Sequence, residues 1–385
     1  MFVLSGLRRR TVRGILLGFL SCLVLVSALH AAEQEAGSDQ DPKMPQNVEA
    51  SNPKSQQRWA LFPIIASSPE SGQMLGAMLF HFLPVDKPGQ QASTIDLLGY
   101  GTTKGQYALS LSPNIFLGNG LYRLNSIVTG SFWEANYYAV GNDSPDVSEK
   151  YKSTSLLGSI ALERRFLDSF VFDLLGLYQQ HEMDIKPGGM LTTGNVLGST
   201  DGTYLGLGLE TGYDTRDNTN SPTEGIMARY RYVRYDKSIG SDLNFTLQTV
   251  DLRYYQKSGL VKDSVLALAA NVRHARGDVP FRDLSSPDGT MILRGIENGR
   301  YKDKDMVAIQ SEFRFPIYGK FSGTIFAEAA QVAPAFGDMA VGDFKPSIGS
   351  GFRYALNPDQ RFNLRADVSW VDKGIGVIIN VREAF

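Results

Sequence analysis

The feature that most limits how this chain can fold is a series of short alternating segments between residues 59 and 385. In the segment 362–370, every second residue is apolar up to Trp370, and the residues between them include Arg365 and Asp367. A period of two is the pattern of a β-strand with one apolar and one polar face. The segments recur without a sustained helical pattern between them, so the chain is predicted to be all-β.

Two all-β architectures fit these segments, a soluble sandwich and a transmembrane barrel. A sandwich buries its apolar face, whereas a barrel turns that face to lipid and encloses the polar one. The 327 residues from 59 to 385, at about twenty residues per strand and turn, give about 16 strands, an even number as in bacterial barrels. The 39 glycines, 21 phenylalanines and 17 tyrosines suit a barrel with aromatic girdles. We therefore predict an antiparallel transmembrane β-barrel over residues 59–385.

The N-terminus has the pattern of a secretory signal peptide, predicted as residues 1–32. Four arginines precede an apolar stretch from Ile15 to Leu29, and small residues follow up to Ala32. An uncleaved anchor fits less well, because a spanning helix needs about 20 apolar residues. A lipoprotein signal at Cys22 also fits less well, because the apolar stretch continues beyond it. Residues 33–58 are polar, with three prolines, and are predicted to be a disordered periplasmic lead-in.

The connections between the predicted strands fall into two groups by length. Short ones lie at 117–120, 168–169 and 356–359, and long ones lie at 142–152, 184–201, 277–305 and 334–345. Outer-membrane barrels have short periplasmic turns and long outer loops. The long connections are therefore predicted to gather at one end of the barrel.

Five stretches resemble one family of bacterial outer-membrane barrels. They are GYDTRDNTNSPTEG (212–225), the start of the loop at 293–295, FAEAAQV (326–332), NYYAVGN (136–142) and the closing strands at 349–370. In this order they resemble the BamA/TamA superfamily, the bacterial surface antigen family. The resemblance covers most of residues 59–385.

The resemblance implies a contact between a long loop and the barrel wall. In the family, an Arg-Gly tip of the sixth outer loop folds into the lumen and pairs with acids on the inner wall. Arg294 and Gly295 match that tip, and Glu312 and Glu328 match the wall acids, with glutamate at 328 where aspartate is more common. Ile296 replaces the usual aromatic residue of the tip. A guanidinium in a confined lumen needs carboxylate partners, which agrees with this implication. Without the resemblance, a solvated loop arginine is the ordinary interpretation.

The stretch 214–225 is interpreted as a structural turn motif at the end of the barrel with short turns. Its predicted residues are Asp214, Arg216, Asp217, Pro222 and Gly225. A calcium-binding loop is excluded, because the sixth position counted from Asp214 is Thr219 and not glycine.

The first and last strands are predicted to meet at a weak seam. Pro63 lies in the first predicted strand and lacks a main-chain donor, and Gly374 and Gly376 lie in the last. The family lets these strands part, whereas a bulge and a kink without motion explain the same residues. Phe385 ends an amphipathic segment and resembles a C-terminal signal for the outer-membrane assembly machinery.

These features predict a bacterial outer-membrane protein that acts in membrane-protein insertion, translocation or envelope biogenesis. A passive pore and an outer-membrane hydrolase are the alternatives, and the hydrolase lacks a visible Ser/His/acid motif. The chain is predicted not to be an enzyme and to need neither metal nor cofactor. The family's periplasmic POTRA domains have no room in residues 33–58. Outer-membrane lipids are expected partners, the client is unknown, and the 34 basic against 40 acidic residues beyond the leader do not favour nucleic acid.

Overall fold

The computed structural model describes residues 58–68, 70–84, 92–118, 121–167, 169–358, 361–372 and 374–385. The predicted signal peptide and nearly all of the predicted lead-in lie outside these residues. The described residues form sixteen strands. They are β1 (Trp59–Ser68), β2 (Gly72–Phe82), β3 (Thr94–Thr102), β4 (Tyr107–Leu117), β5 (Tyr122–Tyr137), β6 (Glu149–Phe166), β7 (Phe170–Ile185), β8 (Gly202–Asp214), β9 (Gly225–Tyr235), β10 (Phe245–Ser258), β11 (Ser264–Gly277), β12 (Asp305–Tyr318), β13 (Phe321–Ala333), β14 (Lys345–Asn357), β15 (Phe362–Val371) and β16 (Gly374–Val381).

The sixteen strands form one closed antiparallel barrel. Each strand pairs with its neighbours along the chain, and β1 pairs with β16 to complete the circle. One short α-helix, α1 (Met190–Thr193), and 3₁₀ turns at Lys237–Ile239, Phe336–Asp338 and Val341–Asp343 lie in the connections. The predicted all-β barrel and its strand number are confirmed. Within the described part of the chain, no helix is long and apolar enough to cross a membrane.

The two faces of the strands are the reverse of those in a soluble protein. In β15, Trp370 is 61% exposed, whereas Arg365 and Asp367 are fully buried. In β12, Ile309 is 53% exposed and Glu312 is 1% exposed. Polar side chains therefore line the interior and apolar ones cover the outside, which is the arrangement of a transmembrane barrel. This distribution decides between the barrel and the sandwich.

The connections sort by length between the two ends of the barrel. Four of the five longest ones, at 138–148, 186–201, 278–304 and 334–344, follow odd-numbered strands and share one end, the loop end. The other end, the terminal end, carries the start of β1, the end of β16 and most short turns. Two connections at the terminal end are exceptions, 83–93 with eleven residues and 215–224, which holds the turn motif, with ten. The structure therefore corrects the expectation of a short turn there.

The β11–β12 loop (278–304) enters the barrel and packs against its inner wall. Ile292, Leu293 and Ile296 of the loop are at most 8% exposed. They form one apolar cluster with Tyr301 and with wall residues of β12 and β13, namely Met306, Ala308, Ala330 and Val332. This cluster brings the loop tip, residues 293–296, to the middle of the wall formed by β12 to β16.

The closure between β1 and β16 is much shorter than any other strand pairing. One registered pair, Ser67 with Ile379, joins these two strands in the described residues. By contrast, β16 has eight registered partners on β15, and β1 has ten on β2. Because main-chain ladders stabilise neighbouring strands, this seam is the weakest junction of the barrel.

Candidate functional site

Arg294 lies at the loop tip and pairs with three wall carboxylates. Its Nε is 2.7 Å from Glu328 Oε1, and its Nη1 is 2.7 Å from Glu312 Oε2 and 3.0 Å from Asp367 Oδ2. The Arg294 side chain and all three carboxylates are fully buried. The guanidinium also lies 3.4 Å from the centre of the Phe326 ring. Charge-assisted hydrogen bonds and stacking therefore hold this cation in the lumen.

The main chain of the loop tip is held as closely as the side chain. The Arg294 N–H donates to Glu328 Oε2 at 2.7 Å, and the Arg294 carbonyl accepts from the hydroxyls of Ser347 and Ser369, each at 2.7 Å. Gly295 has a φ of 97°, and a Cβ there would lie 2.1 Å from Ser369 Oγ. Glycine is needed at this position both for its conformation and for the close approach.

Gly376 of β16 gives the loop tip the space that it needs. A Cβ at Gly376 would lie 2.1 Å from Gly295 Cα, a separation that real Cβ contacts do not have. The sequence pattern marked Gly376 as a residue that weakens the last strand. The structure adds another role, because this glycine lets the backbone of the loop rest against the strand that closes the seam.

Arg294 belongs to a buried cluster of four arginines and four acidic residues, whose charges are equal in number. Besides Arg294, the cations are Arg314, Arg353 and Arg365, and the acids are Glu312, Glu328, Asp367 and Glu383. Each of these side chains is buried. Sequence reasoning identified Arg294, Glu312 and Glu328 and missed the other five. Four of these five lie on β12, β14 and β15, where their inward parity was the available signal, but parity does not say which charges meet. Glu383 follows β16 and had no such signal.

Phe385 is not part of the last strand, which corrects its predicted position. β16 ends at Val381, and Arg382, with a φ of 64°, turns the following residues into the lumen. There Glu383 pairs with Arg353 at 2.7 Å, and the Phe385 main-chain oxygen accepts from Arg314 at 2.9 Å. These ionic contacts explain why the chain leaves the sheet. The role of Phe385 in assembly stays a prediction.

The turn motif joins two connections at the terminal end. Asp217 accepts from the N–H and hydroxyl of Thr223, at 2.8 and 2.7 Å, and pairs with Arg361 of the β14–β15 connection at 2.5 Å. Partial burial alone would raise the pKa of the Asp217 carboxyl, but the bonds from Thr223 and Arg361 outweigh it and lower that pKa. Asp217 therefore holds a turn and a neighbouring strand connection together.

The remaining motif residues complete the same turn. Arg216 pairs with Asp214 through two hydrogen bonds of 2.8 and 2.7 Å. The Pro222 carbonyl accepts from Arg314, which also bonds Glu312. Gly225 has a φ of 111°, and a Cβ there would lie 2.4 Å from the Thr215 carbonyl oxygen. The motif thus reaches the charged wall beneath the loop tip.

The substitution Asp217→Asn is expected to destabilise the barrel at neutral pH. It removes a charge that accepts several hydrogen bonds, for which about 1–3 kcal/mol is usual. Because the folded-state pKa is lowered, this stabilisation is present above the unfolded value of 3.8 and is lost as pH falls through the folded value. Urea unfolding in lipid vesicles at pH 7 and pH 3 measures both effects.

The control for this prediction is Glu224→Gln in the same connection. Glu224 pairs with Lys257 at 3.1 Å, but the two side chains are 58% and 62% exposed. An exposed pair contributes little, so this variant is expected to match the parent protein. If the parent protein, Asp217→Asn and Glu224→Gln are equally stable at pH 7, Asp217 does not stabilise the barrel.

The seam residues lie in the strands where the sequence placed them. Pro63 lies in β1, opposite Ala77 of β2, and Gly374 and Gly376 lie in β16. The loop contacts both sides of this seam. Asn298 Nδ2 donates to Glu70 Oε2 in the β1–β2 connection at 2.6 Å. Tyr301 donates its hydroxyl proton to Asp372 after β15. The inserted loop therefore links the two sides of the weakest junction.

A serine and a histidine do meet inside the barrel, but without the geometry of a hydrolase. Ser155 Oγ is 2.8 Å from His181 Nδ1, and His181 Nε2 is 3.2 Å from Gln179 Oε1. A catalytic triad orients its histidine with a carboxylate, and here that position holds an amide. Ser155 also accepts from Arg282 of the inserted loop at 3.3 Å. The pair is therefore explained as an anchor for the loop.

No group of three or more His, Cys, Asp or Glu side chains that could hold a metal ion occurs among the residues that the structure describes. The contacts of the site are ion pairs between a guanidinium of the loop and carboxylates of the barrel wall. A sixteen-stranded barrel with reversed faces, a loop tucked into its lumen and one short seam defines the class of this protein. It is an outer-membrane-type barrel with a loop bound to the inner wall.

The chain belongs to the Omp85 superfamily, whose domain matches residues 93–371. Omp85 barrels are non-enzymatic proteins of insertion and transport, and the family resemblance seen in the sequence is confirmed. Comparison with the sequences of curated proteins gives no match.

Solved structures with a similar fold include the following two. One is BamA from Haemophilus ducreyi lacking POTRA domains 1–3, with a TM-score of 0.60 and 14% identity over 93% of this chain and 78% of that one. The other is CdiB from Acinetobacter baumannii, with a TM-score of 0.56 and 13% identity over 85% of this chain. This chain spans 60% of the length of CdiB.

Proposed function

We propose that this barrel inserts or translocates proteins at the bacterial outer membrane by letting β1 and β16 part. The single observation that carries the proposal is the seam, where one registered pair joins two strands that have eight and ten partners on their other sides. An open strand edge offers unpaired main-chain groups to another strand. A client strand that paired with this edge would enter the membrane without exposing its own main chain to lipid.

The inserted loop supplies the second part of the proposed mechanism, a lock. Arg294 fastens the loop tip to β12, β13 and β15, and Gly295 rests on β16. While the tip is fastened, the loop occupies the lumen beside the seam. The lock therefore keeps the loop in the lumen and closes the barrel to small solutes. For β1 and β16 to part, the loop releases its bond to Glu70 or to Asp372 while Arg294 keeps the tip fastened. No covalent chemistry is needed for either step.

The proposed partner of the folded barrel is the outer-membrane lipid, and that of the chain before it folds is the assembly machinery. The apolar outer face, with residues such as Trp370 and Ile309 more than half exposed, would contact outer-membrane lipids. Phe385 is 5% exposed in the folded barrel. The assembly machinery would therefore recognise this residue before the barrel closes and not afterwards.

A disulfide across the seam tests the proposed function. Ser67 and Ile379 are registered partners, so cysteines at both positions have Cα atoms within the range of a disulfide. The protein carrying Ser67→Cys and Ile379→Cys is reconstituted in vesicles, and the folding of a small unfolded outer-membrane barrel is followed by protease protection. We expect acceleration by the reduced protein and at least a tenfold loss, about 1.4 kcal/mol, on oxidation.

The matched control is a disulfide between Ser350 and Val368, which are registered partners in the long β14–β15 pairing. Oxidation of this pair should leave the acceleration unchanged. If the oxidised seam protein accelerates folding as well as the reduced one, seam opening is not part of the function. If neither form accelerates folding, the insertion activity itself is overturned.

A further inference from the structure

The four residues that follow β16, Arg382–Phe385, form a short tail that folds back into the lumen. Ala384 and Phe385 pack against Tyr255 and Ala267 of β10 and β11, and all four side chains are at most 5% exposed. The Glu383 carboxylate accepts from Asn363 at 2.9 Å and pairs with Arg353 at 2.7 Å. Both an apolar contact and an ion pair thus hold the tail to the inner wall.

Two chains of ion pairs run from the loop tip to this tail. In the first, Arg294 bonds one oxygen of Glu312, and Arg314 bonds the other at 2.6 Å. Arg314 then donates to the Phe385 main-chain oxygen at 2.9 Å. Glu312 is therefore shared between an arginine of the loop and an arginine that holds the tail.

The second chain uses different residues and has the same two ends. Asp367 Oδ2 lies 3.0 Å from Arg294, and Asp367 Oδ1 lies 2.5 Å from Arg353. Arg353 in turn pairs with Glu383 of the tail at 2.7 Å. Arg353 also lies 3.7 Å from Glu312, which connects the two chains.

We infer that the loop tip and the tail are energetically coupled, so that release of either one loosens the other. When Glu383 leaves, Arg353 stays buried and draws on Asp367 and Glu312, the same carboxylates that hold Arg294. When Arg294 leaves, those carboxylates are free to bind Arg353 and Arg314 in other positions, which weakens their hold on the tail. The inference rests on the proposed lock at Arg294, and it adds Glu383 as a positioning residue for that lock.

Cysteine labelling measures this coupling from both ends. One reporter is Ala384→Cys in the tail and the other is Ile296→Cys in the loop tip, both buried at 2% and 4% exposure. Cys22 is replaced by serine throughout, which leaves one thiol per protein. The labelling rate with a maleimide in vesicles reports how often each site opens. Every comparison is made between two proteins that carry the same reporter.

We expect Arg294→Ala to raise the labelling rate of the tail reporter, and Glu383→Gln to raise that of the loop reporter. Coupling between two sites is usually about 5–150-fold, and linkage requires both sites to feel the same factor. Arg294→Ala is also measured with the loop reporter, which tests the lock itself. Glu210→Gln is the control, because Glu210 is a buried luminal acid with two arginine partners outside both chains.

The outcomes separate the coupling from the lock. Faster labelling of both reporters in the crossed experiments, with no change for Glu210→Gln, supports the inference. If Arg294→Ala opens the loop but leaves the tail reporter unchanged, the coupling is wrong and the lock stands. If Arg294→Ala leaves the loop reporter unchanged, the lock itself is wrong. If Glu210→Gln raises the labelling rates as much as Arg294→Ala and Glu383→Gln do, the substitutions loosen the barrel in general and the coupling is wrong.

Discussion

Arg294→Ala is expected to convert a nearly silent barrel into one that conducts or flickers in a planar lipid bilayer. The substitution removes the cation that fastens the loop tip to Glu312, Glu328 and Asp367, all of them fully buried. Removing one partner of a buried ion pair costs about 3–5 kcal/mol. At about 1.4 kcal/mol per tenfold, the population of the undocked loop rises by two or more orders of magnitude.

The control for this experiment is another arginine near the same loop. Arg276 lies in β11, pairs with Asp305 at 3.7 Å and is 45% exposed. Its replacement by alanine should leave the conductance at the level of the parent protein. If the parent, Arg294→Ala and Arg276→Ala all conduct equally, Arg294 does not anchor a plug, and the passive pore becomes the better description. The conductance of Arg294→Lys should lie between that of the parent protein and that of Arg294→Ala, since lysine keeps the charge but lacks the planar guanidinium.

Gly376→Ala is expected to undock the loop without changing any charge. The added methyl carbon would lie 2.1 Å from Gly295 Cα, which belongs to the backbone and cannot rotate away. The loop tip must therefore withdraw from β16, and with it the three short contacts of Arg294 lengthen. We expect conductance close to that of Arg294→Ala and faster proteolysis within the loop 278–304. If proteolysis of the loop is not faster and the barrel does not conduct, the added methyl group has displaced β16 and not the loop.

Gly99→Ala is the matched glycine control. Gly99 also lies in a strand, β3, and a Cβ there would meet Leu109 at 3.5 Å, an ordinary contact. The double variant Arg294→Ala with Gly376→Ala gives a further test of the mechanism. Once the tip has withdrawn, the second substitution has little left to disturb, so the two effects should be far from additive. Additive effects would indicate two separate changes in the barrel.

The fold of this chain could be predicted because strand alternation is a local property. The parity of Trp370 and Asp367 already separates a lipid face from a luminal face, once length and export favour a barrel. Repeats of strand and turn then give the approximate number of strands. Pro63, Gly374 and Gly376 predicted a weak seam, but they do not say how many pairs β1 forms with each neighbour, which are one with β16 and ten with β2.

The candidate site was predictable only in part. Arg294 and Gly295 form a short motif in the loop that precedes a recognisable strand. Glu312 has inward parity in that strand, and Glu328 lies within the resembling stretch 326–332. Arg353 lies in the resembling stretch 349–370, but the resemblance gives it no role, and Glu383 lies outside all five stretches. Their pairing at 2.7 Å depends on Arg382 turning the chain out of β16, which the alternating pattern of the last strand does not indicate.

From its sequence alone, this chain is an alternating β protein with a polar interior, and it carries one arginine-glycine tip in a long loop. Those properties follow from residue order, because alternation and turn positions are set within a few residues. The tertiary structure decided which charges meet, where Gly376 makes room and how weakly the barrel closes. These depend on the stagger of sixteen strands around a circle, which brings residues as distant as Arg294 and Asp367 to 3.0 Å and is not encoded within any one segment.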